Sequence, residues 1–93
     1  MQRQEILSVI ERIQQMERYY DAVSRVLELN ANEMSENVAI SKMVQELTEY
    51  MDSGLWLQDY ECDERGELPK DLKRGVLSED GLYNLLITVH TLV

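Results

Sequence analysis

QRQEILSVIERIQQMERYYDAVSRVLELN, residues 2–30, is the longest uninterrupted pattern in the chain. Apolar or aromatic residues fall at Ile6, Val9, Ile13, Met16, Tyr20, Val23 and Leu27, in steps of three and four. Such steps return side chains to one stripe of a helix, the seam of a coiled coil or of a core-facing helix. Ile10 and Val26 widen the stripe, and Glu11, Arg12, Gln14, Gln15, Glu17 and Arg18 are assigned to the other faces. No Gly or Pro interrupts the run, so the spacing predicts one long helix. At ~1.5 Å per residue it spans ~43 Å. A compact globule of this chain length is only ~30 Å across.

Beyond it, Asn30-Ala31-Asn32 breaks the pattern, and Asn30 with Glu33 has capping-box spacing. From about Glu33 to Asp52 the helical period returns, with Ile40, Val44, Leu47 and Met51 on one face and Met43 and Tyr50 widening it. A short connection makes the two helices an antiparallel hairpin. A turn at residues 31 and 32 sets Leu47 against Met16 and Met51 against Ile13. Ile6, Val9 and Ile10 then outrun the second helix, and Leu55, Trp56 and Leu57 are expected to cover them. Gly54 ends helix two, and a short third helix is expected over residues 55–65. Leu68-Pro69 is extended, and Pro69 to Arg74 is expected to form a helical turn. Ser78 is the expected N-cap of a last helix with Leu82, Leu85, Leu86 and Val89 on its apolar face. The whole reads as a single all-α domain, residues 1–93: a long helical hairpin, a short third helix and a C-terminal helix packed along it.

The net charge is −9, from 9 basic and 18 acidic residues. That balance argues against duplex nucleic acid and anionic membranes, which need clustered Lys and Arg. An acidic chain can imitate nucleic acid and occupy a basic protein, although a solvated acidic surface is the plainer reading. A lone Cys forms no internal disulfide. MQRQEILS has no apolar signal core, and the uncharged run from Gly81 to Val93 falls short of the ~20 residues of a membrane span. A cytoplasmic location is expected.

Between Trp56 and Leu86 lie the only Trp, Cys and Pro and three of the four Gly. The densest acidic run, Asp59 to Glu67, and the densest basic run, Lys70 to Arg74, lie there too. Any function particular to this chain is therefore expected there. Asp59-x-Glu61-x-Asp63 opens like a calcium loop, but Glu64 stands where the loop needs Gly and Lys70 where it needs Glu. No calcium, zinc or other cofactor is expected. Asp59 and Asp63 share a helix face and could form an acid–base pair, and Cys62 with His90 a nucleophile pair. Both rest on single residues in an acid-rich chain, and no catalytic residue is assigned. Lys70, Lys73 and Arg74 are expected to balance the acidic run, each exposed pair contributing under ~1 kcal/mol. The candidate interaction surface is Trp56, Asp59, Tyr60, Asp63, Lys73 and Arg74.

SGLWLQDYECDERGELPKDLKRGVLSEDGLYNLL, residues 53–86, resembles a family of short bacterial proteins, domain of unknown function 4298. The shared pattern is a glycine (Gly54), a tryptophan two residues on (Trp56), an acidic segment (Asp59 to Glu64) and Leu68-Pro69. Then come Lys73-Arg74-Gly75 and Leu77 to Gly81. The tail, Ile87 to Val93, is more apolar than the family's polar ending. The resemblance implies a bacterial, cytosolic, helical protein and no activity. The leading expectation is a non-enzymatic interaction module, binding a protein partner or pairing as a two-fold dimer. One alternative is a small-ligand or enzyme site near Trp56, Tyr60, Asp59 and Lys73. The other is an acidic decoy of a nucleic-acid-binding protein.

Overall fold

A computed structural model describes residues 3–29, 37–78 and 80–92. Four helices account for most of them: α1 (Arg3–Leu29), α2 (Val38–Asp52), α3 (Leu55–Glu64) and α4 (Gly81–Leu92). A 3-10 turn, Gly75–Leu77, interrupts the connection between α3 and α4. No strand occurs among the described residues, and the class is all-α as the periodicities predict. The molecule is rod-like, 43 × 20 × 17 Å. Its long axis matches the ~40 Å of a 27-residue helix at 1.5 Å per residue.

Helix α1 buries Val9, Ile13 and Val23 from its stripe, but also Glu17, which the sequence pattern assigned to solvent. Glu17 follows Ile13 by four residues and so shares its face. Packed against α1 is α2, whose inward face is Ile40, Val44, Leu47 and Tyr50. Arg12 and Met16 line one shallow cleft with Glu46, Glu49, Tyr50 and Ser53. The first half of α1 thus lies beside the end of α2, the antiparallel order expected. Helix α2 starts later than Glu33: Asn37 caps it, its Oδ1 accepting from the Ile40 amide at 3.2 Å. The expected break at Asn30 to Asn32 and the box with Glu33 lie outside the described residues. Ile13, Val23, Leu47, Val76 and Leu82 are fully buried, each contributing ~1.5–3 kcal/mol by its removal from water.

Two glycines set the geometry of α3. Gly54 ends α2 and Gly66 ends α3, with φ of 89° and 73°, a region in which any side chain is strained. At Gly66 the Glu67 amide returns to the Cys62 carbonyl (3.3 Å) and the Gly66 amide to that of Asp63 (2.9 Å). These are the paired bonds of a Schellman motif, and they reverse the chain.

Residues 67–78 then run as a strap over α1. The expected helical turn from Pro69 to Arg74 is replaced by one turn closed by Leu72 N to Pro69 O at 3.3 Å. The helical geometry falls later, at Gly75–Leu77. Arg74 holds this arrangement by donating to the carbonyls of Pro69 and Leu72. Ile10 faces Pro69 and Leu72 across a groove between α1 and the strap. Trp56, expected to help cover the start of α1, packs against the core and donates its indole N–H to the Val76 carbonyl at 2.8 Å.

Helix α4 begins at Gly81, and the carbonyl that accepts its first bond is that of Asp80, from Asn84 N at 2.9 Å. Ser78, the expected cap, lies two residues earlier and closes a turn to Gly81 N through its own carbonyl. Leu82, Leu85, Leu86 and Val89 are buried as predicted, against α1, α2 and the 3-10 turn. The β-branched tail is helical to Leu92. Thr88 and Thr91 bond back to the carbonyls of Asn84 and Ile87, which satisfies their hydroxyls within the helix.

Candidate functional site

Two carboxylates lie inside this apolar frame, one on α3 and one on α1. Asp59 has no exposed surface. Its Oδ2 accepts from Arg12 Nε at 2.9 Å and from the Tyr50 hydroxyl at 2.6 Å, and its Oδ1 accepts from Arg12 Nη2 at 2.5 Å. The guanidinium grips both oxygens, the geometry that makes arginine suited to carboxylates. Burial, and then the bond to Asp59, push the Tyr50 hydroxyl far above the ordinary phenol range. The same bond to Asp59 raises Arg12. Asp59 thereby ties α1, α2 and α3 together.

Glu17 is 6% exposed. Its Oε1 accepts from the Val76 amide at 2.8 Å. Because Trp56 takes the Val76 carbonyl, side chains from α1 and α3 clasp both polar groups of one strap residue. Glu17 Oε2 lies beside Gly75, where an added Cβ would come within 3.1 Å of it. At Gly81 a Cβ would meet Ser78 Oγ at 2.1 Å and the Tyr20 hydroxyl at 2.9 Å. Glycine at both positions lets the strap approach α1 closely. Burial raises the Tyr20 phenol, and the negative charges of Glu17 and Asp21 add to the shift.

Beside this clasp a groove of about 520 Å³ separates α1 from the strap. Ile10, Pro69 and Leu72 give it apolar surface. Glu17, Arg18, Asp21, Asp71 and Lys73 supply its charges, and Gln14 completes the wall. Lys73 Nζ reaches Asp21 at 3.2 Å, and Arg18 bonds the Gln15 amide oxygen.

The structure divides the six residues of the predicted surface. Asp59 is interior and cannot be presented to a partner. Trp56 and Tyr60 stack with ring centroids 5.1 Å apart, and both are half-buried. Asp63 pairs with Arg74, while Lys73 reaches back to Asp21 on α1 rather than into the acidic run. Asp59 and Asp63 are therefore separated, each beside its own arginine. The Cys62 thiol is fully buried, donates to Glu67 Oε2 at 3.3 Å and is pushed up by burial, then by that carboxylate. His90 is exposed on α4. Of the predicted residues only Lys73 lines the groove. Sequence reasoning missed Glu17, although its place between Ile13 and Tyr20 on the apolar face was a readable signal.

A profile of the family described as domain of unknown function DUF4298 matches residues 13–93. The chain belongs to this family. In this DUF4298 protein the match takes in most of α1 and everything after it, so it spans the clasp, the strap and both buried acids. It runs through the apolar tail as well. Comparison with curated proteins and with solved structures finds no match. Among the described residues, no helix is long and apolar enough to cross a membrane.

Proposed function

We propose that this DUF4298 protein is a non-enzymatic interaction module that docks a protein partner in the groove between α1 and the strap. The observation that carries this reading is the groove itself. It combines apolar surface from Ile10, Pro69 and Leu72 with charged side chains from both walls, the mixture of apolar and polar groups that protein-docking surfaces carry. The residues suited to chemistry support it from the other side. Asp59, Tyr50 and Cys62 are bonded within the fold, where they hold helices together.

The test is capture from a cell lysate followed by crosslinking and mass spectrometry, with Leu72→Glu as the groove variant and Val38→Ala, an exposed position at the start of α2, as the control. A partner crosslinked at Lys73, lost with Leu72→Glu and kept with Val38→Ala, is the expected result. Identical capture by all three proteins would contradict the reading.

Self-association is a second reading with its own support. Tyr83 and Ile87 lie one turn apart on α4 and are 56% and 47% exposed, and two-fold dimers are the commonest oligomers. Sedimentation equilibrium decides it: a dimer mass lowered by Ile87→Glu supports it, and the 10.9 kDa chain mass at high concentration refutes it.

A further inference from the structure

We propose that the groove recognises a basic segment of the partner, seating one arginine or lysine side chain against Glu17. The proposal rests on the docking reading above and adds the chemistry of the occupant. A carboxylate taken out of water needs donors or a counter-charge, because burial of an unbalanced ion is costly. Asp59 has three such bonds, two of them from a cation. Glu17, almost as deeply buried, has one bond from a neutral backbone amide among the described residues. The groove next to it is open and lined by this same carboxylate.

The dimensions suit a long cationic side chain. Its aliphatic stem would lie on Ile10, Pro69 and Leu72, and its head would reach the Glu17 carboxylate where that group lines the groove. Lys and Arg characteristically bury their stems on apolar surface while the charged end finds a polar site. Charge points the same way. The groove holds three acids (Glu17, Asp21, Asp71) against two bases (Arg18, Lys73). Lys73 already faces Asp21, and Arg18 faces Gln15. The chain as a whole carries −9, which steers a basic partner toward it.

The experiment titrates the ¹⁵N-labelled protein with the capped peptide Ac-Gly-Leu-Arg-Leu-Gly-NH2, followed by amide chemical shifts. The same peptide with neutral citrulline in place of arginine is the control. Saturable shifts at Ile10, Glu17, Leu72 and Val76 are expected. The citrulline peptide should bind roughly tenfold or more weakly, the scale of one hydrogen bond to a charged group. Glu17→Gln should weaken the arginine peptide by a similar factor while its remaining spectrum stays native, and Asp71→Asn should weaken it less.

Equal binding of the citrulline peptide, unchanged binding to Glu17→Gln, or no saturable shift at millimolar peptide would each overturn the proposal. If butylguanidine alone bound as tightly as the peptide, the occupant would be a small ligand, which also overturns it. A partner captured through the groove with an unchanged Glu17→Gln affinity would leave the docking reading standing and remove only this one.

Discussion

Asp59 and Glu17 are two buried acids in one small core, and their surroundings differ. Asp59 sits where three helices meet and is gripped by Arg12 and Tyr50. Glu17 sits where a helix meets a strap, with one backbone amide on one oxygen and a groove at its side. The first arrangement is closed: each oxygen has a charged donor, and nothing further can enter without breaking a bond. The second is incomplete by the same standard. A fold of this size with two buried carboxylates shows which one secures the helices by where the cation was placed.

The largest effect should come from removing that cation. Arg12→Met keeps the aliphatic stem but leaves Asp59 with Tyr50 alone, and breaking a buried pair in this way typically costs ~3–5 kcal/mol. Urea denaturation monitored by helical circular dichroism measures it. A loss below ~1 kcal/mol would show that Asp59 is hydrated in solution, and the contrast with Glu17 would collapse.

Tyr50→Phe is a smaller cut at the same knot. It deletes one hydrogen bond to a charged group, worth ~1.5–3 kcal/mol. It also sharpens the comparison through pH. The Tyr50 phenol is raised in the fold, burial being the larger cause and Asp59 the next, so the fold favours its protonated form. Its contribution is fully present below the unfolded phenol value near ~10 and is lost as pH climbs beyond it. Tyr20 is raised in the same direction. Stability of the natural protein should therefore fall above pH ~10, and Tyr50→Phe should make that fall shallower without abolishing it.

Much of the fold is legible in the sequence because it follows apolar spacing. Ile13, Val23, Ile40, Val44, Leu47, Leu82 and Val89 are buried at the positions their periods assign. The strap is legible only in part. Leu68-Pro69 and the glycines mark a non-helical connection, but its path depends on Glu17 accepting from Val76 and on Trp56 donating to the same residue. Those bonds join residues 59 and 20 positions apart in the chain, and local propensity carries no trace of such pairings. The acidic run misled for a related reason. Asp59, Asp63 and Glu67 look alike in sequence, yet they meet Arg12, Arg74 and Arg65 respectively. Asp63 meets the basic run, as charge balance predicts, and Glu67 meets a neighbour two residues away, but Asp59 takes its cation from α1, a choice that only the tertiary arrangement makes. Glu17 shows the converse: its face was readable, but a charged residue on an apolar stripe is ordinarily taken as solvent-exposed.

The most direct measurement is a matched pair of isosteric neutral substitutions, Asp59→Asn and Glu17→Gln, compared by urea denaturation under one set of conditions. In Asp59→Asn the new amide group turns a donor toward Arg12, which has no acceptor to offer, or takes the place of the oxygen that Tyr50 and Arg12 share. A loss of ~3 kcal/mol is expected, the lower end of the range for breaking a buried pair, because the Arg12 side chain stays 26% exposed and can be partly hydrated. In Glu17→Gln the carbonyl oxygen still accepts from Val76 and no bonded cation among the described residues is lost, so the loss should stay within ~1 kcal/mol. Equal losses, or a larger one for Glu17→Gln, would contradict the account, because Glu17 would then be as firmly committed to the fold as Asp59.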